Sequence, residues 1–262
     1  MQWNDGPGAG RKAPDGTGGN GAGGMQLDGL VFDKDGTLFD FAATWEAWAV
    51  AFLTRITGGD RTRAAELGAR VGFDYERQVF HPTSIVIAGT PGEVAEALIP
   101  ALPGMTAEAL IDILNDEAAR APQAEAVPLK PLLDKLKRAG LRLGVATNDA
   151  EAPALKHLGT AGVVDRFDFV AGFDSGYGGK PAPGQLNGFL DLTGLAPERV
   201  AMVGDSTHDL EAGRRAGMRT IGVLTGMAQP ADLAGLADVI LDRKSTRLNS
   251  SHVKPSRMPS SA

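Results

Sequence analysis

The apolar and polar positions of this chain fall into two patterns. The first apolar run, Leu30 to Phe32, has the length of a buried strand and ends in Asp33-Lys34-Asp35-Gly36-Thr37. After Asp40 the pattern turns helical. Phe41, Trp45, Trp48, Phe52 and Ile56 mark one face, and Gly58-Gly59 stops it. Further helices are predicted over 61–71, from the Thr90-Pro91 N-cap signal to Leu98, and over 107–119 behind Thr106. Residues 41–125 therefore read as an all-helical insert with its own apolar faces, and Trp45 and Trp48 as packing residues.

From Pro128 onward helix and strand alternate. Leu129, Leu132, Leu133 and Leu136 predict an amphipathic helix ending at Gly140. Strands are predicted over 141–146, 167–171, 199–203 and 219–223, with helices over 152–158, 182–192 and 210–216. Gly184 and Gly188 weaken the second of those helices. Repeated βα units predict an α/β core, a Rossmann-like parallel sheet flanked by helices, whose ligands sit at the C-terminal strand ends. The expected organisation is a core of residues 25–40 and 126–242 with a cap of residues 41–125. Residues 1–24 are Gly-rich with few apolar side chains and read as a disordered extension, with Met25 a candidate start of translation. Residues 243–262 are Ser-rich, basic and aperiodic, and read as a disordered, non-native tail.

Composition narrows the function. The chain is 43% hydrophobic and 22% charged, as globular proteins are. It has no apolar run of membrane-spanning length, no secretory signal pattern and no cysteine. Disulfides, thiolate metal sites and a cysteine nucleophile are thereby excluded, and a cytoplasmic location is expected. Of the net charge of −6, residues 243–262 contribute +5 and residues 1–24 nothing, leaving −11 on the body. That surface repels nucleic acid.

Four polar clusters follow predicted strands: Asp33-x-Asp35, Thr147-Asn148, Lys180, and Asp205 to Asp209. Phosphate-ester cleavage needs a nucleophile in line with the leaving group, a proton for that group, and neutralisation of the phosphoryl oxygens. Asp33 can attack, Asp35 can carry the proton, Thr147 and the Asn148 backbone N–H can bind a phosphoryl oxygen, and Lys180 can neutralise it. Asp205 and Asp209 offer the oxygen ligands that Mg²⁺ prefers. Singly, each cluster has a plainer reading. Thr147 to Asp149 suits a helix cap, Lys180 a surface lysine, and Asp205 to Asp209 a turn and cap.

Taken together, these motifs over residues 27–242 resemble the haloacid dehalogenase superfamily, and within it the phosphoglycolate-phosphatase-like group. The resemblance implies a Mg²⁺-dependent phosphatase for a small phosphorylated metabolite, with a helical cap inserted after the first motif. It implies Asp33 as nucleophile, Asp35 as acid/base, and Thr147 and Lys180 at the phosphoryl group. Mg²⁺ would sit on the Asp33 carboxylate, the Asp35 backbone carbonyl, Asp205 and, directly or through water, Asp209. Lys34 departs from the apolar residue common between the two aspartates in that group. A phosphoryl-transferring mutase is the alternative, followed by a non-catalytic module. The absence of Gly-x-Gly-x-x-Gly after the first strand argues against a dinucleotide-dependent dehydrogenase. Phe39, Asp40, Trp45, His81 and Thr83 are positional candidates for substrate contacts. His208 reads as a solvated loop residue, His81 has no evident partner, and His157 reads as structural.

Overall fold

Every residue of the first strand, β1 (Gly29–Phe32), is buried. An uninterrupted apolar run requires this of a strand covered on both faces. Along the chain follow α1 (Phe41–Ile56), α2 (Arg61–Arg70), β2 (Phe73–Asp74), β3 (Val79–Phe80), α3 (Pro91–Leu98), α4 (Ala107–Ala118), α5 (Leu129–Arg138), β4 (Arg142–Ala146), α6 (Glu151–Thr160), β5 (Phe169–Ala171), α7 (Gly184–Thr193), β6 (Val200–Gly204), α8 (Thr207–Arg215), β7 (Arg219–Val223), α9 (Pro230–Leu233) and β8 (Val239–Leu241). The computed structural model describes residues 25–242. The expectations for residues 1–24 and 243–262 lie outside the described residues.

Six strands form a parallel sheet in the order β5-β4-β1-β6-β7-β8. The alternation along β1 divides the core. Leu30 and Phe32 pack with Leu129, Leu133 and Leu158 on one face, while Val31 packs with Leu186, Phe189 and Ala212 on the other. Gly188 is tolerated in α7 because Tyr177 needs the room: a Cβ there would lie 2.7 Å from the tyrosine ring. Strands β5 to β8 lie on both sides of β1, so the chain reverses direction across the sheet at β1. Such a switch point opens a crevice at the C-terminal strand ends.

The cap packs around its own cluster, in which Trp48 stacks on Phe52 at 5.3 Å and Phe41, Leu67, Val94, Leu98 and Leu110 close the interior. Thr90 and Glu93 form a capping box at the start of α3, and Thr106 caps α4. The insert also holds a short antiparallel hairpin, β2–β3. Phe73 pairs with Phe80 across it, and both rings bury into the helical cluster. Strands of two residues are too short to show an alternation in sequence. Two connections join the cap to the core, held side by side by Asp40 N–H to Ala124 O and Ala126 N–H to Leu38 O. Among the described residues no helix is long and apolar enough to cross a membrane.

Candidate active site

Register brings the motifs to one level. Phe32 of β1 is aligned with Val145 of β4 and Val203 of β6. Asp33, Thr147 and Asp205 each leave the sheet within two residues of that line. Lys180 comes from the loop after β5, and Asp209 from the first turn of α8.

Lys180 joins two of the acids. Its Nζ lies 2.5 Å from Asp33 Oδ1 and 2.6 Å from Asp209 Oδ1, and all three residues are buried. It is therefore not a surface lysine. Burial opposes its charge, but Asp209 and Asp33 outweigh that and raise its pKa. Asn148 fixes the lysine's backbone, accepting from Lys180 N–H at 2.7 Å and donating to Lys180 O at 2.9 Å. Asp209 also caps α8: its Oδ2 accepts from Ser206 N–H at 3.0 Å, while Ser206 Oγ accepts from Asp209 N–H. The cap reading of Asp205 to Asp209 thus does not compete with the site reading, because the Asp209 carboxylate has one oxygen for each.

Asp33, Asp205 and Asp209 bring carboxylate oxygens within 4.8 Å of one another, all buried. Burial pushes the Asp33 carboxyl up to about 7 against the opposing charge of Lys180, with Asp209 and Asp35 adding to the rise. Burial, then Asp33 and Asp209, likewise raise Asp205 well above the usual carboxylate range. One lysine does not neutralise three acids, so the donor set fits a further cation with oxygen preference. Gly36, at φ +80°, and Gly226 bring bare backbone against the Asp205 carboxylate, where a Cβ would collide with it.

Thr147 is positioned from both sides. Its carbonyl accepts from Gln185 Nε2 at 2.9 Å, and its Oγ1 accepts from Asp149 N–H at 3.1 Å. The hydroxyl hydrogen stays available to an incoming acceptor. The neighbouring helix α6 has Ala150 as N-cap with no side-chain cap, so Thr147 and Asn148 do not serve as its cap.

Lys34 turns inward and is fully buried. Its Nζ contacts Asp35 at 2.7 Å, Asp149 at 3.2 Å and His157 Nδ1 at 3.1 Å. An ammonium only donates, so Nδ1 accepts and Nε2 carries the hydrogen, which goes to Ala118 O of the cap at 2.8 Å. The acid/base candidate is thus tied through Lys34 and His157 to α4. Burial and the Lys34 charge pull the His157 pKa down to about 4. A histidine with a lowered folded pKa adds stability above its unfolded value of 6.5, and that stability is lost as pH falls toward 4. In His157→Gln the decline in unfolding free energy over that window is expected to be shallower by on the order of 3 kcal/mol, read from urea melts at matched pH.

The positional candidates separate. Trp45 lines the cavity between cap and core, together with Asp33, Asp35, Thr147, Lys180 and His208. Phe39 does not. It is fully buried in the core, where the connection to the cap packs against the Leu129 cluster. Asp40 caps α1 by accepting from Ala43 N–H. His81 and Thr83 are exposed and pair with each other at 2.8 Å, so His81 has a partner after all. His208 is half-buried rather than solvated, and donates from Nδ1 to Ala88 O of the cap at 3.2 Å. Gln185 and the Ala88 carbonyl carry no signal in the sequence, and Asp149 enters there only through a helix-cap reading, although it is a carboxylate two residues after Thr147.

A family model for haloacid dehalogenase-like hydrolases matches residues 27–217. The phosphoglycolate phosphatase of Agrobacterium fabrum is 30% identical over 217 residues, covering 81% of this chain and 87% of that protein. The phosphoglycolate phosphatase of Aquifex aeolicus is 33% identical over 118 residues, 40% of this chain and 55% of that protein. The chain thus spans about half the length of some of the curated relatives it matches. The crystal structure of CbbY from Rhodobacter sphaeroides in complex with phosphate shares the fold, with a TM-score of 0.61 at 21% identity over 85% of this chain and 100% of that one.

Proposed function

The chain belongs to the haloacid dehalogenase-like hydrolases, and from that premise we propose that it is a Mg²⁺-dependent phosphatase acting on a small phosphate monoester. The observation that carries the reading is the Lys180 ammonium bridging Asp33 and Asp209 beneath the cap, with Asp205 beside them. In the first step an Asp33 oxygen attacks phosphorus and the ester bond breaks. The departing oxygen takes its proton from the Asp35 carboxylic acid. In the second, the Asp35 carboxylate takes a proton from water, whose oxygen attacks the aspartyl-phosphate, releasing inorganic phosphate and restoring Asp33. Thr147 Oγ–H, the Asn148 N–H and Lys180 bind the phosphoryl oxygens, and the docked cap excludes bulk water.

Asp33, Asp205, Asp209 and the Asp35 carbonyl would hold the Mg²⁺, which when bound neutralises phosphoryl charge. A metal must displace the proton that the buried Asp33 keeps up to about pH 7. Mg²⁺ affinity measured by calorimetry is therefore expected to tighten as pH rises from 5 through about 7.

Release of inorganic phosphate from an aryl phosphate and a panel of small phosphate esters, with Mg²⁺, tests the reading. An inactive wild type across the panel would sink it. Formation of an isomeric phosphate ester in place of inorganic phosphate would instead make the chain a mutase.

A further inference from the structure

The cavity between cap and core is small, about 60 Å³, against the ~10–15 Å³ that admits one water. Its core side is the phosphoryl site. Its cap side is formed by Trp45, Trp48, Val86, Val94, Leu114 and Asn115, without a charged group. Two polar atoms of residues on that side have no hydrogen-bond partner among the described residues, although both are buried: Trp45 Nε1 and Asn115 Oδ1. Trp45 as a whole is only 9% exposed. The neighbouring Trp48 shows the ordinary outcome, its Nε1 donating to Leu114 O at 3.2 Å. Unpaired buried polar atoms are costly and uncommon, and a ligand that pairs them removes the cost.

Resting on the phosphatase reading, we propose that Trp45 and Asn115 form the leaving-group subsite, and that the subsite selects a neutral, hydroxyl-bearing group over a carboxylate. An indole N–H only donates and an amide oxygen only accepts, so the matching group must do both. A hydroxyl accepts from Trp45 and donates to Asn115. A carboxylate would satisfy Trp45 but set its charge against the Asn115 oxygen. It would also find no free cation among the described residues. The basic residues on the cavity wall are Lys180 and His208, both from the core. Lys180 is held by Asp33 and Asp209, and His208 by Ala88 O. Lys34 lies nearby but is fully buried and held by Asp35 and Asp149. The acids on the wall include Asp35 and Asp149, which add repulsion.

A size-matched series tests this: ethyl phosphate, 2-hydroxyethyl phosphate and phosphoglycolate, bound with Mg²⁺ to the Asp33→Asn protein and followed by calorimetry. Binding is read without turnover, so the result does not depend on hydrolysis. Wild-type phosphate release on the same esters reports the phosphatase reading separately. The hydroxyethyl ester is expected to bind about tenfold tighter than either of the others. Adding Trp45→Phe or Asn115→Leu is expected to bring its advantage over the ethyl ester toward one, while the melting temperature reports whether each variant is folded. Tightest binding of phosphoglycolate, or a hydroxyl advantage unchanged in both folded variants, overturns the proposal.

Discussion

Asp33→Asn is expected to lower kcat by at least roughly 10⁴-fold while leaving the protein folded. The amide keeps the shape of the carboxylate and can still accept from Lys180, which lies 2.5 Å away in the wild type. It lacks the anionic oxygen that would attack phosphorus. The same change should make the metal-free protein more resistant to urea at pH 8. Burial raises the Asp33 pKa to about 7, so an ionised Asp33 lowers stability progressively as pH climbs from 3.8 through about 7. Removing one of three crowded carboxylates removes that penalty. Added Mg²⁺ should then stabilise the wild type more than the variant. Steady-state kinetics with urea melts in chelator and in Mg²⁺ would read both effects. Lost activity with gained metal-free stability is the pattern of a group kept for chemistry against the interest of the fold. A variant that lost stability along with activity would point to a structural role.

The second large effect is on stability. Lys34→Met is expected to cost about 3–5 kcal/mol, because it strands Asp35 and Asp149 beside each other without their cation. Both neighbours of that ammonium are shielded, Asp149 almost completely, at 2% side-chain exposure. His157 Nδ1 would lose its donor as well. Replacing Lys34 and Asp149 together, by Met and Leu, should recover more than half of the loss, since a buried ion pair exchanged for apolar groups of similar size is often close to neutral. Denaturant midpoints of the two variants and the wild type give the comparison. If the single and double variants were equally destabilised, the ion pair would not be the cause.

What the sequence made legible depended on the length of the signal. The strands of the sheet that carry Asp33, Thr147 and Asp205 are four or five residues long and apolar, so the polar residues closing them stood out. Helix α1 showed its face over sixteen residues. The hairpin and β8, with strands of two and three residues, left no period to read. Lys34 was visible as a departure, but its direction was not. Its partners Asp149 and His157 lie more than a hundred residues further along the chain and reach it only once β1 and β4 pair. Phe39 illustrates the opposite error. Its position beside the motif suggested a substrate contact, yet an aromatic residue where the chain leaves the core has an apolar cluster to fill first. Asp209 shows that a cap motif and a site motif need not compete.

Three hydrogen bonds from core side chains to the cap share a direction. Asn148 and His208 donate to the Ala88 carbonyl, and His157 donates to that of Ala118. In each case the cap contributes main chain and the core contributes the side chain. A carbonyl is the same in every amino acid. Exchanges of cap side chains therefore leave these latches in place, provided the loop and helix keep their course. Variation in the cap can retune which ester is admitted without relearning how to dock, whereas a change at Asn148, His157 or His208 loosens the lid whatever the cap contains.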